Sequence, residues 1–384
     1  MVQKEKKVAI VYDWIDKWGG VERLLLVLHH MFPSAPFFTS YVDLQSARWA
    51  RGIHIKSSFI QHLPRFIKKS RLLSFFFYPL AFESFDFSEY DTVISVSSSF
   101  AKSIITKPNT HHICILLTPT RYLWLYPTQY LGVFLVSISA KIIDFFKKWD
   151  KIASRRPDNT IAISHEVSKR CLKYYGFCPP VIYPPFDLQY WVKVKKSILD
   201  SNYSQNTNVT HLKQFYLVVA RLEPYKKVDV VIRAFKGRKD HLVVVGKGSL
   251  LQKMKRRAGK NVLFMEDLSD EDLGSLYSNA QALIMPQHED FGYVALEAQF
   301  FGCPVIAYDK GGSKETIMDG KTGIFFHEQT HTKIRAALER WDKISYNLRH
   351  HTRQYGEENA TFFSKEHFEK SLYRIINCDK PKQA

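Results

Sequence analysis

The chain has 384 residues, 45% of them hydrophobic and 24% charged, a globular balance that excludes a disordered tail, a collagen or a small disulfide scaffold and suggests two or three domains. Its 28 Phe and 20 Tyr can fill a large core. Lys plus Arg number 55 against 37 Asp plus Glu, and the net charge of +18 implies an anionic partner: nucleic acid, a phosphorylated substrate or a membrane surface.

In chain order, Val8–Trp14 (VAIVYDW) reads as a buried parallel strand, Gly19-Gly20 as a turn, and VERLLLVLHHMF as a helix. Further strands are predicted over 91–96, 112–117 and 159–164, with helical patterns between them. The pattern restarts with strands over 215–222, 241–248, 261–267, 282–287 and 303–309. This alternation argues for two doubly wound α/β layers. The polar stretch 192–214 reads as the linker, so the expected division is an N-terminal domain 1–195 and a C-terminal domain 196–361, with a last helix, about 362–384, packing back on the first domain. Tyr122–Ala140 carries no charge, but its Pro, Gln, Gly, Ser and Tyr residues favour ordinary core or an interfacial segment over a membrane span.

The five cysteines, Cys114, Cys171, Cys178, Cys303 and Cys378, are scattered without a C-x-x-C. That pattern fits a reduced, cytoplasmic compartment and no zinc site. MVQKEKKVAIVYDW has no apolar run suited to a signal peptide.

Two strings carry chemistry. In QHEDFGYVALEA (287–298), Glu289 and Glu297 have seven residues between them, the first on a loop after a strand and the second on the helix that follows. Loop amides and a helix N-terminus favour an anion, and carboxylates accept hydrogen bonds from sugar hydroxyls. For an isolated pair a capped surface helix would be the simpler reading. In ARLEPYKKVD (220–229), Arg221 and Lys226 follow a strand end, where open α/β sheets bind ligands. They offer a planar fork and a point charge for phosphate oxygens, although a solvated basic turn would look the same.

Taken together, these strings resemble the retaining glycosyltransferases of family four. So do VYDWIDKWGGVERLLLVLHHMFP (11–33), TPTRYLW (118–124), VVVGKGS (243–249) and PVIAYDKGGSKETIMDGKTGIFF (304–326). The resemblance covers nearly the whole chain and is nearest to mannosyltransferase-like enzymes of bacterial surface polysaccharide assembly. It implies the GT-B fold, two Rossmann-like domains facing across a cleft, and transfer from a nucleotide diphosphate sugar to a glycan or lipid-linked acceptor. It implies that Arg221 and Lys226 bind the diphosphate and that Glu297 holds the ribose. Glu289, with the Phe291 and Gly292 amides, would meet the donor sugar and phosphate, and Gly19 and Gly20 would let a loop approach the reacting centre.

Two positions depart from the family. Leu117 and Ser98 stand where relatives carry histidines. His111 and His112 lie at a strand's start and read as structural. No D-x-D string stands where a metal-dependent transferase would place one. Ser269 reads as a helix N-cap with Asp270 and Asp272 in the first turn, so neither a metal nor another cofactor is expected.

The competing reading is a catalytically degenerate transferase serving as a binding or scaffold subunit, motivated by Leu117 and Ser98. A nucleic-acid binder rests on charge alone, without a zinc-finger, RRM or basic-zipper string. A nicotinamide-dependent dehydrogenase lacks G-x-G-x-x-G at the first strand-turn. Finally, 61–80 and 141–156 mix Lys and Arg with Phe and Tyr. They suggest peripheral attachment to the anionic inner face of a membrane.

Overall fold

The structure, a computed structural model, describes residues 6–127, 140–200 and 214–378. It forms two compact units, Phe186–Lys365 and the remainder, in which the segment from Glu366 joins the residues up to Pro185. The N-terminal unit holds β1 (Val8–Tyr12), β2 (Phe37–Thr39), β3 (Ile55–Ser57), β4 (Thr92–Ser97), β5 (His111–Leu116) and β6 (Asn159–Ala162) in the order β3-β2-β1-β4-β5-β6. The second holds β7 (Phe215–Val219), β8 (His241–Val245), β9 (Val262–Met265), β10 (Leu283–Met285), β11 (Val305–Tyr308) and β12 (Gly323–Phe326) in the order β12-β11-β10-β7-β8-β9. Counted from its own first strand, each sheet reads 3-2-1-4-5-6 and is parallel throughout, the Rossmann order.

The central strands are buried on both faces, which is why VAIVY and FYLVV read as continuous apolar runs. The strands absent from the sequence reading, β2, β3 and β12, span only three or four residues. In the N-terminal unit Trp14, Phe38, Phe75, Tyr78, Phe100 and Phe146 pack one aromatic-rich core. In the second, Val218, Val231, Val244, Ile284, Leu338 and Trp341 belong to one largely aliphatic core.

The division falls at Pro185–Phe186 rather than near residue 195. The reason is a helix over Leu188–Asp200 where a polar linker was expected: it buries Trp191 and Val194 and packs on the helix Asp270–Asn279 of the second unit. The last helix lies where the sequence reading put it, within 362–384, and from Glu366 belongs to the N-terminal unit. A 32-residue helix, His331–Phe362, ends at Phe363, and a separate helix runs Lys365–Asn377. The two places where the chain changes unit are tied together, Phe186 N–H donating to the Phe363 carbonyl at 2.7 Å.

Of the charge-free stretch Tyr122–Ala140, residues 128–139 lie outside the described ones. Among the described residues no helix is long and apolar enough to cross a membrane. All five cysteines are free thiols.

Candidate functional site

In the second sheet the connections diverge between β7 and β10, and the loops leaving these strands carry both motif strings. The loop after β7 is gripped by the G-x-G that follows β8. A Cβ on Gly246, whose φ is +142°, would lie 2.0 Å from the Ala220 carbonyl oxygen, and one on Gly248 would lie 2.5 Å from that of Leu222. Leu222 N–H donates to the Lys247 carbonyl at 2.7 Å, and the Ser249 amide donates to Glu223 Oε1 at 3.1 Å. Held in this way, the Arg221 side chain is exposed. Its guanidinium makes no hydrogen bond or ion pair among the described residues, and lies 6.0 Å from the Tyr225 ring centroid. Pro224–Lys226 forms a 3-10 turn that ends on Lys226.

Lys226 Nζ meets Glu289 Oε1 at 2.7 Å, joining the two strings, and Gln287 Nε2 donates to the same oxygen at 2.7 Å. Both charged side chains are mostly buried. Burial pushes the Glu289 carboxyl up, but Lys226 and Gln287 outweigh it and hold the group below its ordinary range. The Glu289 backbone is fixed as well, its carbonyl accepting from Gly312 N–H at 2.9 Å. Gly311 and Gly312 press against this loop so closely that a Cβ would fall 2.3 Å from the Glu289 carbonyl oxygen and 2.4 Å from Phe291 Cα, respectively. The sequence shows that glycine pair but not what it packs against.

Phe291 is buried, edge-on to Tyr293 and Phe363, so its side chain anchors the loop. Gly292 has φ +102°, left-handed and glycine-favouring, and caps the helix Tyr293–Phe300. Glu297 sits on that helix, buried, and Tyr277 OH donates to its Oε2 at 3.2 Å. The long helix locks this one in place: Gly356 lies where a Cβ would meet the Gln299 carbonyl oxygen at 2.1 Å. Asp270 and Asp272 lie in the first turn of the helix capped by Ser269. The N-cap is the one the sequence implied, and Ser269 and Asp272 further form a reciprocal capping box.

The N-terminal unit uses its corresponding position differently. After β1, Asp13 is fully buried and its carboxylate accepts four hydrogen bonds from the loop after β4. They come from Ser98 N–H at 2.7 Å, Ser98 Oγ at 2.9 Å, Phe100 N–H at 2.8 Å and Ala101 N–H at 2.7 Å. Burial raises its pKa, opposed by those donors and by Lys102. The sequence reading missed Asp13. Its signal was slight, one acid closing an apolar strand. Ser98, at the position of a family histidine, is thus a structural donor to Asp13. Leu117, at the other, is buried with its N–H on the Ser97 carbonyl at 2.8 Å.

His111 and His112 pair with Asn159 at 2.6 Å and Ser95 at 2.8 Å, as expected of structural histidines. Gly20 opens the helix Gly20–Met31. Gly19 precedes it at φ 173°, an extended backbone open to any residue. What constrains Gly19 is Glu22, whose Oε2 would lie 3.1 Å from an added Cβ. Glu22 is itself buried, which raises its pKa against the opposing pull of Lys17, and it accepts from Tyr12 OH at 3.3 Å.

Residues 201–359 match the family model described as "Glycosyl transferases group 1". The chain is similar to an alpha-1,3/1,6-mannosyltransferase ALG2 of Dictyostelium discoideum, 30% identical over 41% of this chain and 45% of that one. It is also similar to a GDP-mannose-dependent phosphatidylinositol monomannoside mannosyltransferase of Mycolicibacterium smegmatis, 33% identical over 27% of this chain and 32% of that one. The chain thus spans less than half the length of these two relatives. Among solved structures, Anabaena HepE in complex with UDP and glucose matches with a TM-score of 0.69 at 16% identity, over 98% of this chain and 100% of that one. WaaG, a glycosyltransferase involved in lipopolysaccharide biosynthesis, matches with a TM-score of 0.65 at 15% identity, over 97% and 100%.

Proposed function

We propose, from the premise that this chain belongs to the GT-B glycosyltransferases through its group 1 domain at residues 201–359, that it moves a hexose from a nucleotide diphosphate sugar to a hydroxyl acceptor with retention of configuration. The observation that carries the reading is the Lys226–Glu289 ion pair beside an exposed Arg221, on the two loops that leave the strands where the connections of the second sheet diverge. In this reading Arg221 and Lys226 bind the diphosphate. The bond from sugar C1 to the phosphate oxygen breaks, and the acceptor oxygen bonds to C1 on the same face. The acceptor's proton passes to the departing diphosphate. Positive charge at that oxygen stabilises the transition state, and one such donor is worth about 3–4 kcal/mol. Glu289 holds Lys226 in place and meets the sugar, while Glu297 takes the ribose. Neither a metal nor another cofactor enters this scheme.

The names of the relatives suggest which donors to try first. Purified protein is screened with GDP-mannose, UDP-glucose and their parent diphosphates by calorimetry and by slow hydrolysis. Binding of one nucleoside diphosphate supports the assignment, and no binding by any would contradict it. A scaffold role is favoured by Leu117 and Ser98, which lack the imidazole of the family positions. Wild-type turnover, with little change in Leu117→His, is the outcome expected of an active enzyme.

A lipid-linked glycan acceptor at the cytoplasmic face of a membrane, in surface polysaccharide synthesis, fits the surface of the N-terminal unit. Phe75 packs on Phe146 at 4.3 Å, bringing 61–80 and the helix Ala140–Ala153 together. This leaves Phe66, Phe76 and Phe145 exposed beside Arg65, Lys148 and Lys151. Part of the charge counted in the sequence is internally neutralised: Lys69 pairs with Asp43 at 3.1 Å, and Arg71 pairs with Asp16 while stacking 3.9 Å over Trp14. The aromatics therefore carry more of the attachment than charge does. Phe76→Ser/Phe145→Ser is expected to release the protein from anionic vesicles in sedimentation. Equal recovery of wild type with and without vesicles would reject attachment.

A further inference from the structure

The second unit has a pocket of about 310 Å³ in the furrow between the helices Val228–Ala234 and Leu251–Arg257, lined by neither Lys226 nor Glu289. Its lining includes Lys227, Arg233, Lys253 and Arg257. The carboxylate among them, Asp229, is already paired with Arg233 at 3.1 Å. The pocket also contains Ile232 and Met254, both buried members of the aliphatic core, and Leu250, which packs against it. No aromatic ring lines it, so a nucleobase would find no stacking surface.

We propose that this furrow binds a phosphate monoester carrying an aliphatic chain, with its head on Lys227, Lys253 and Arg257 and its first methylenes on the apolar floor. Guanidinium and ammonium groups together match a phosphate dianion. The volume lies at the low end of small-molecule sites, enough for a head group and the first few carbons. A wall of the pocket is formed by Pro224 and Lys227, which flank Lys226, and by Leu250, whose N–H donates to the Leu222 carbonyl at 3.0 Å. An occupant therefore contacts the back of the turn that presents Lys226.

The test is calorimetric titration of the whole chain, without donor, using three probes: dihexanoyl phosphatidic acid below its micelle concentration, dihexanoyl phosphatidylcholine, and inorganic phosphate. Phosphatidic acid is expected to bind saturably. Inorganic phosphate is expected to bind at least about tenfold more weakly, because it buries no methylene. Phosphatidylcholine is expected not to bind. Lys253→Glu and, separately, Arg257→Gln should each weaken phosphatidic acid about tenfold with unchanged melting, since both side chains are exposed and each removes a charge-assisted bond. Equal binding of the two lipids would leave only an apolar groove, and equal binding of inorganic phosphate would make it a soluble-anion site. Either result, or full affinity in both variants, overturns the proposal. Because no donor is present, failure of the glycosyltransferase reading would leave this result standing.

Discussion

The two units share one strand order and differ in what they place where that order reverses. In the N-terminal unit the loop after β4 turns its amides inward onto Asp13, and the position is closed by the protein's own carboxylate. In the second the loops present Arg221 to solvent beside a mostly buried Lys226–Glu289 pair. The comparison teaches that topology offers the same crevice twice, and that the side chains placed there decide whether it is closed as a structural clamp or left with a cation facing solvent.

The largest expected effect falls on the clamp. Asp13→Ala strands three amides and a hydroxyl in a buried loop and should destabilise the N-terminal unit by about 3–5 kcal/mol, read by urea denaturation. A loss under about 1 kcal/mol would show that the clamp is dispensable. Next comes the proposed diphosphate site. Arg221→Ala should cut transfer about 10- to 150-fold, the worth of one charge-assisted bond, with an unchanged melt because the side chain is exposed. Lys226→Ala should cost at least as much activity and also lower stability, by about 1–3 kcal/mol, by leaving the mostly buried Glu289 without its cation.

Smaller is Gly292→Ala, which forces a side chain into the left-handed region. It should destabilise by about 1 kcal/mol, since an added Cβ meets nothing closer than 3.5 Å.

The last effect is one of pH. Glu289 has a depressed pKa, so its contribution is present above the ordinary carboxylate value of about 4.3 and is lost as pH falls through its lower folded value. The melting difference between wild type and Glu289→Gln should therefore be constant from pH 7 down to about 5 and shrink below about 4. A difference that grows on acidification would give the opposite sign.

Much of this architecture is legible from periodicity, because buried parallel strands such as VAIVY and HLVVV are apolar without interruption. What escaped did so for physical reasons. β2 and β3 are too short to show a period. The helix Leu188–Asp200 hides its two buried residues, Trp191 and Val194, among lysines. Motif strings brought Arg221, Lys226, Glu289 and Glu297 into view. By contrast, Asp13 acts through contacts 85 to 88 residues away, and Gly246 and Gly311 matter through backbone approaches that no linear pattern records.

The central claim is that the second unit's crevice binds a nucleoside diphosphate through its cations. Titrating GDP and UDP into wild type, Arg221→Ala and Lys226→Ala by calorimetry tests it most directly. The account predicts saturable binding of at least one diphosphate by wild type and a loss of about tenfold or more in each variant. Wild-type affinity in both variants, or no binding of either diphosphate by the wild type, would contradict it.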